Sequence, residues 1–334
     1  MHNPGVIRKY GGSCSPVTRI AEAPNSMNGY VNRRQGSKGE RLTTGELAAF
    51  GTAACWTVTV MAFEAAGKRI GSLPVNILRL LLGLLFLTAW ITVTGGRPLP
   101  TDASLHAWLW MGLSGLVGFV LGDLCLFRAF VLIGGRVTMI IYSLVPPMSA
   151  LLGWLLLGEI LPPGVWLAMA VTFAGVCMVI LVKADGAMAL AHPAKGLLLA
   201  LAGSLGQALG LVISKHGMGS LGMFPATQIR ILAATAAFLV IIPLMRKTGR
   251  VRAAVMNRKA MGIVLLGSFF GPFLGVSLSL AAIRGMEIGV AATIMSMVPV
   301  FILLPEVLFQ KKRIRPLEVA GAFIAVGGIA LLTL

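Results

Sequence analysis

Charged residues are scarce in this chain, and acidic residues are the scarcest of them. Only 12% of the 334 residues are charged, with 11 Asp and Glu against 28 Lys and Arg. A soluble domain has about 25% charged residues, so the composition argues against a soluble fold. The shortage of acids also makes each carboxylate inside an apolar stretch a candidate functional group.

Motifs for metal binding, disulfide formation and ATP hydrolysis are lacking as well. The four cysteines have no disulfide or metal spacing, and the four histidines form no metal-spaced pair and neighbour no plausible nucleophile dyad. No GxxxxGK[ST] phosphate loop is present, which argues against ATP hydrolysis within this chain. We therefore expect no cofactor and no metal, and we predict that the protein is not an enzyme.

The N-terminal segment, residues 1–43, has no apolar stretch. It contains seven Lys and Arg among Gly, Ser, Asn and Pro, which predicts a disordered basic tail. Because it lacks an apolar h-region, it is not a signal peptide.

The rest of the chain is rich in long apolar runs. Of all residues 57% are hydrophobic, and the mean hydropathy is +0.89. Each run has about 20 residues, enough to cross a ~30 Å hydrocarbon core as a helix. The predicted fold is an all-α integral membrane protein with ten transmembrane helices, at roughly 45–66, 72–94, 105–132, 136–157, 163–183, 195–217, 222–245, 260–283, 288–310 and 316–334.

Two segments of the chain align without a gap, at an offset of 153 residues: Gly118–Pro146 and Gly271–Pro299. A second match, offset by 151, aligns PVNILR (Pro74–Arg79) with PATQIR (Pro225–Arg230). We therefore predict two five-helix halves, 44–183 and 195–334. Since five is odd, the halves face opposite ways as an inverted repeat, which is typical of secondary transporters, and both termini share one side.

The net charge of +17 lies mainly in the tail and in the connections between spans. Such clusters orient the chain and contact anionic headgroups, so we expect the lipid bilayer, and not nucleic acid, as partner. Connections after odd-numbered spans hold about 14 basic residues, which favours that face as cytoplasmic and the termini outside. The basic tail favours the reverse, so the orientation is open.

Several short motifs occur in a fixed order from residue 46 to residue 334: Arg79 in the second span, LGDLCLFRAF, SLVPP, GWLLLGE ending at Glu159, GQALGLVISKHG and SMVPVFILLPE. This order resembles the EamA-type branch of the drug/metabolite transporter superfamily. The resemblance implies ten helices, an inverted repeat, a central substrate cavity, cytoplasmic termini and export of small metabolites or drugs. The chain departs from the pattern at Lys312, where the second repeat usually has the counterpart of Glu159.

Asp123 and Glu306 are the two acids well inside predicted spans, where a charge costs roughly 2.5–3.5 kcal/mol. Counting about 1.5 Å per residue puts Arg79 about 10 Å and Asp123 about 13 Å from the face where spans 1 and 2 connect. We predict an Arg79–Asp123 pair, with Glu64–Arg128 as a second, shallower candidate. Such pairs either hold helices together or couple transport to protons or solute; the sequence leaves both open.

Arg230 repeats Arg79, but Val276 stands where the second half would match Asp123, so no acid is expected at the depth of Arg230. A cation among neutral hydrogen-bonding groups predicts a site for a carboxylate or phosphate of a solute. The alternative is that Arg230 bonds backbone carbonyls or reaches a lipid headgroup. The predicted secondary contacts of the solute are Gln207, Ser277 and Ser279.

Pro146 and Pro299 lie at equivalent places in the fourth and ninth spans. A proline distorts a helix, and helices broken at corresponding positions of two halves indicate a midplane binding site. A packing kink without ligand contact is the alternative. Trp56 and Tyr142 are candidate cavity residues, with a buried or interfacial role as the alternative. The predicted close helix approaches are GxxxG pairs: Gly118–Gly122, Gly206–Gly210 and Gly271–Gly275.

These features predict a multi-pass transporter, in a bacterial inner membrane, that exports a small organic metabolite or drug-like solute. Coupling to an ion gradient, such as a proton gradient, follows from the absence of an ATP-binding motif. A non-transporting membrane scaffold or an embedded enzyme is the alternative. The sequence does not determine the substrate, the coupling ion or the oligomeric state.

Overall fold

The computed structural model describes residues 43–95, 97–182, 193–310 and 315–333. The predicted basic tail lies outside these residues, apart from Thr43. Every regular element in the described ranges is helical. The α-helices are α1 (Thr44–Ile70), α2 (Ser72–Gly95), α3 (Leu105–Gly115), α4 (Asp123–Tyr142), α5 (Val145–Leu157), α6 (Pro163–Val182), α7 (Pro193–Met218), α8 (Met223–Leu244), α9 (Thr248–Met256), α10 (Arg258–Ser268), α11 (Val276–Gly285), α12 (Ile288–Met295), α13 (Val298–Gln310) and α14 (Pro316–Thr333); two π-helices are π1 (Leu116–Gly122) and π2 (Phe269–Gly275).

Local sequence signals fix both ends of α1. The Thr43 side chain accepts a hydrogen bond from the Glu46 N–H, and the Glu46 carboxylate accepts one from the Thr43 N–H at 2.7 Å. This capping box satisfies two backbone donors that the first helical turn leaves free. Gly71 ends α1 with φ 84°, a conformation that glycine adopts without steric cost. Since Gly71 alone joins α1 to α2, the two helices run back alongside each other.

Nine helical stretches within the described ranges are long and apolar enough to cross a membrane. Their bounds agree with the first nine predicted spans to within five residues. The last predicted span forms a shorter apolar helix, Pro316–Leu332. Large side chains such as Leu85 and Val93 are 61% and 84% exposed, as expected for a surface that faces lipid. The all-helical membrane fold is therefore confirmed, and the count of ten spans stays a prediction.

The third and fourth predicted spans share the helical element α4. Gly203 of α7 lies against Leu126 near the start of α4, whereas the neighbouring Ser204 donates to the Ile141 carbonyl near its end, at 3.3 Å. Two adjacent residues of α7 thus contact both the beginning and the end of α4. The chain must therefore reverse within α4, and the two parts pack side by side on α7.

The fourth and ninth predicted spans are broken at matching places. Two residues separate α4 from α5, and two separate α12 from α13. Pro146 and Pro299 are the second residues of α5 and α13, where the missing N–H of proline costs a helix little. The predicted helix breaks are present, and their role in solute binding stays a prediction.

Each half also contains a π-helical segment, and π1 and π2 are offset by the same 153 residues as the sequence repeat. Such segments are rare and occur frequently at functional sites. These π-helical segments were not predicted from the sequence. A signal was present in the second half, because Pro272 lacks the N–H that a regular α-turn would use.

The π-helical segment of each half packs on the first helix of the other half. Gly206 of α7 lies against Gly122 of π1, and a Cβ added to Gly206 would stand 3.0 Å from the Gly122 Cα. Gly210 and Gly118 meet in the same way one turn further along. The backbones approach this closely because all four positions are glycine, as the GxxxG pairs predict.

The equivalent contact in the second half brings π2 onto α1. Gly271 lies against Thr59, and Gly275 lies against the indole of Trp56. Gln207 occupies the matching place on α7, against Gly122, and the two residues are 151 positions apart. The repeat in the sequence is thus also a repeat in the packing, with Trp56 and Gln207 as counterparts.

Candidate solute site and helix-end bridge

Asp123 is the centre of a polar cluster to which both halves contribute. It begins α4 directly after π1, and only 11% of its side chain is exposed. One carboxylate oxygen accepts a hydrogen bond from Nη2 of Arg79, and the other accepts one from Nε2 of Gln207 at 2.8 Å. A buried carboxylate needs such partners because burial removes its hydration. The first half supplies Arg79, and the second half supplies Gln207.

Arg79 is oriented by its own helix. Its Nε donates to Oδ1 of Asn76 at 2.7 Å, one turn earlier in α2, and its guanidinium carbon lies 5.8 Å from the centre of the Phe63 ring. The contact between Arg79 and Asp123 is the one that counting residues along the spans predicts. The role of this pair in coupling stays a prediction.

Gln207 links this pair to π1. Besides Asp123, its Nε2 donates to the Gly118 carbonyl at 3.0 Å. A π-turn displaces backbone carbonyls from the regular α pattern, so one of them becomes available to a side chain. Gln207 was predicted to contact the solute; in the structure its amide donors already serve Asp123 and π1.

Arg230 is buried, with 4% of its surface exposed, and its guanidinium lies over an aromatic ring of the first half. The guanidinium carbon is 4.8 Å from the centre of the Phe119 ring, and Nη2 lies close to Gly118. Nε has no hydrogen-bond partner among the described residues. Asp123 is nevertheless near enough for the two charges to interact, although no acid was expected at the depth of Arg230. Depth counting missed this because the long arginine side chain extends along π1.

Ser277 and Ser279 are fully or almost fully buried, with exposures of 0% and 2%. Each hydroxyl donates to its own helix: Ser277 to the Phe273 carbonyl at 2.6 Å, and Ser279 to the Val276 carbonyl at 2.7 Å. In this arrangement neither hydroxyl proton is available to an anion. Their predicted role as donors to a solute therefore requires that these bonds open.

Tyr142 and Trp56 lie in the two halves of the interior. Tyr142 is the last residue of α4, at the helix break, and it lies near enough to Asp123 and Arg79 to be affected by their charges. It is partly exposed although it neighbours this buried pair, which places it at the edge of the polar cluster. Trp56 is half-buried beside Gly275.

The second predicted ion pair is wrong. Glu64 binds Lys68 at 2.6 Å, and these side chains are 63% and 73% exposed. Lys68 lies one turn away on α1, so it reaches Glu64 without any tertiary contact. Arg128 is exposed and forms no ion pair within the described residues. Glu306, also predicted as a coupling or ion-pair residue, lies in α13, and its side chain is outside the described part of the chain.

A second cross-half ion pair was missed by the sequence analysis. Lys215 Nζ at the end of α7 donates to Oε1 of Glu159 at 2.5 Å and to the Met286 carbonyl at 2.7 Å. Oε2 of Glu159 accepts from the Ile288 N–H at 2.9 Å. We call this arrangement the Glu159–Lys215 bridge. Its side chains are 11% and 24% exposed, so it is largely shielded from solvent.

The bridge lies at the end of the helices where α11 meets the start of α1. A Cβ on Gly285 would stand 3.1 Å from the Cα of Gly45, and we call this end of the molecule the Gly45 end. Gln228 of α8 adds another link there, since its Nε2 donates to the Thr88 hydroxyl at 2.9 Å and to the Pro98 carbonyl at 2.8 Å. Both halves are thus joined by polar contacts at the Gly45 end.

The fold and these contacts define a class of protein: a multi-pass helical membrane protein built from two repeats that meet at a buried charged cluster. Residues 43–181 and 194–334 each match the EamA-like transporter family, and the chain belongs to that family. The members of this family are transporters and not enzymes, which fits the prediction of a non-enzyme. The family resemblance stated from the sequence is therefore confirmed.

No curated protein matches the chain. Several solved structures are similar to the chain. One of them, a crystal structure, has a TM-score of 0.70, and the match covers 86% of this chain and 96% of that one. The two sequences are 16% identical, so this likeness shows the fold alone.

Proposed function

We propose that this protein is a secondary carrier that exports a small organic solute from a bacterium across its inner membrane. In this proposal ten helices cross the membrane as two inverted halves, 44–183 and 195–334, which rock around a central site in alternating access. The observation that carries the proposal is the cluster around Asp123. A first-half carboxylate is held there by a second-half amide, beside a π-helical segment, so a change in how the halves meet changes the site.

The helix breaks support the same mechanism. Broken helices at corresponding positions of two repeats are the usual place for a transporter's midplane site. Tyr142, at the first break, interacts with the Asp123 and Arg79 pair, which connects the break to the polar cluster. The Glu159–Lys215 bridge closes the Gly45 end, and its opening is the step that exposes the site to that side.

The charge of the cluster supports an anionic solute. Among the described side chains, Arg79 and Arg230 bring two positive charges and Asp123 one negative charge, so one positive charge is unbalanced. A carboxylate or phosphate of the solute would balance it, and Nε of Arg230 is an unused donor. An inside-negative membrane potential favours exit of such an anion by about 2.3 kcal/mol per charge and 100 mV.

Asp123 gives the carrier a route for proton coupling. A proton on its carboxylate would weaken its hold on Arg79, because the charge-assisted hydrogen bond would become a neutral one. The contact between Arg79 and Asp123 would then loosen, so protonation of Asp123 would alter the site.

Counterflow of radiolabelled organic acids into proteoliposomes of the purified chain tests this function. We expect exchange of at least one anionic solute, and a loss of about tenfold or more in its apparent affinity in Arg230→Gln. Arg284→Gln is the matched control, because Arg284 is exposed at a helix end and bonds only the Leu221 carbonyl among the described groups. Absence of exchange across a wide panel would favour a scaffold, and transport of cations unaffected by Arg230→Gln would refute the anion site.

A further inference from the structure

A groove opens on the lipid-facing side of the molecule, at the end opposite the Gly45 end. Its volume is about 290 Å³, and aliphatic side chains of α2, α8 and α9 line it, chiefly Ile77, Leu81, Leu239, Ile242 and Val251. Leu239 and Leu81 are 57% and 38% exposed. Thr248 and Arg252 are the polar residues of its lining, and the rest is apolar. A mainly aliphatic groove of this kind suits an acyl chain.

The rim of this groove is strongly basic. Arg252 lies at the groove, within a connection from residue 245 to residue 259 that contains six Lys and Arg and no acid. None of the six forms an ion pair with any described residue. The short helix α9 carries Arg250 and Arg252 while its Ala254 is buried, so α9 lies against the bundle with its cations exposed. A cluster of this kind beside a span attracts anionic headgroups.

The turn that leads into α9 contains an arginine in a backbone conformation that glycine usually adopts. Arg246 has φ 54°, the one non-glycine residue with positive φ among those described. Its N–H bonds the Pro243 carbonyl at 2.8 Å, and the Lys247 N–H bonds the Ile242 carbonyl at 3.0 Å. This is the Schellman ending of a helix, in which glycine is the usual residue at the position of Arg246. An arginine in a strained position is a reason to look for a function of its charge.

We propose that this groove and its rim form a binding site for one anionic phospholipid. An acyl chain lies in the aliphatic groove between α2 and α8, and the headgroup phosphate binds Arg252 with its neighbours in the 245–259 connection. The phosphate accepts hydrogen bonds that guanidinium groups donate in a geometry suited to it. The bound lipid holds α9 against both α2 and α8, and so links a first-half helix to a second-half one. The site is separate from the proposed solute site.

The test is retention of defined lipids by the full-length protein in detergent, measured by native mass spectrometry. We expect phosphatidylglycerol to be retained in preference to phosphatidylcholine with the same acyl chains. Arg252→Gln and Arg250→Gln should each weaken retention by about fivefold, the factor that one cation near an anionic lipid surface implies. Arg69→Gln is the matched control, because Arg69 is an exposed cation in the last turn of α1, at the same end of the molecule, and is not among the residues that line the groove.

Two further arms separate the acyl chain from the headgroup. Leu239→Trp fills the groove and should reduce retention of both lipids without altering the charge, and its melting temperature without lipid checks that it is folded. Soluble glycerol phosphate should not displace phosphatidylglycerol, and displacement would indicate a site for free phosphate instead. Equal retention of the two lipids, or equal loss in Arg69→Gln and Arg252→Gln, would overturn the proposal.

Discussion

Removing the negative charge of Glu159 should open the Gly45 end. In Glu159→Gln, the single amide oxygen replaces two charged acceptors, so it can accept well from only one of the two donors, Lys215 Nζ and the Ile288 N–H. An exposed ion pair contributes about 0–1 kcal/mol, and removing one partner of a fully buried pair costs about 3–5 kcal/mol. With exposures of 11% and 24%, the bridge lies between these limits, and we take about 2 kcal/mol.

A difference of about 2 kcal/mol changes the ratio of closed to open molecules roughly 30-fold. The assay is the rate at which a membrane-impermeant thiol reagent labels Tyr142→Cys, in a chain whose four native cysteines have been replaced. A cysteine at the exposed Ser220 identifies the side on which the Gly45 end lies. From that side, Glu159→Gln should raise the labelling rate at position 142 by roughly tenfold or more.

Two comparisons make the result decisive. Glu64→Gln removes a glutamate of an exposed pair on α1 and should leave labelling unchanged. The charge exchange Glu159→Lys with Lys215→Glu should restore part of the slow labelling, because the ionic contact is rebuilt in reverse. If Glu159→Gln labels no faster than the parent, and the exchange behaves like either single change, the bridge does not close this end.

Three other predictions concern the core of the molecule. Asp123→Asn should impair transport more than Glu159→Gln does, because it leaves Arg79 buried beside a neutral group. Loss of the protein from the membrane fraction would instead show that the Arg79–Asp123 pair is structural. Unchanged transport with an unchanged pH dependence would exclude both the coupling role and the structural role of Asp123. Gly206→Val should destabilise the protein by about 1–3 kcal/mol, seen as a lower melting temperature in detergent, because its Cβ meets backbone of π1, whereas Gly262→Val, with open space around it, should cost less than half as much. Cysteines placed at Gly39 and after Leu334 should label from the same side of the membrane. Labelling from opposite sides would contradict the predicted inverted repeat.

The sequence was sufficient for the features that depend on one helix at a time. Apolar length alone located nine spans, since a helix must satisfy its own backbone in a bilayer. Pro146 and Pro299 predicted the helix breaks because proline acts on its own turn. The contact between Arg79 and Asp123 could be predicted from the depths of the two residues along their spans. A long arginine side chain reaches its partner even when the counted depth is wrong by one helical turn.

Contacts that depend on how helices lie side by side were not predicted. Depth does not give the rotation of a helix, so neither the hydrogen bond from Gln207 to Asp123 nor the bridge from Lys215 to Glu159 could be derived. The prediction of a Glu64–Arg128 pair was wrong for a related reason. Lys68 lies on the same helix as Glu64, so it can bind Glu64 without any contact between helices. π1 contains no proline, so its widened turn has no local sequence signal comparable to that of π2.

The unequal contributions of the two halves to the Asp123 cluster bear on the ancestry of the chain. Two copies of the first half, paired in opposite orientations as the two halves are in the predicted inverted repeat, would bring two carboxylates to the centre and place Trp56 where Gln207 now binds Asp123. Two copies of the second half would bring two arginines to the centre but no acid, because Val276 occupies the place of Asp123 in that half. Neither homodimer could reproduce the present centre. Each half therefore depends on the other for this centre, and separately expressed halves should form it only as a heterodimer.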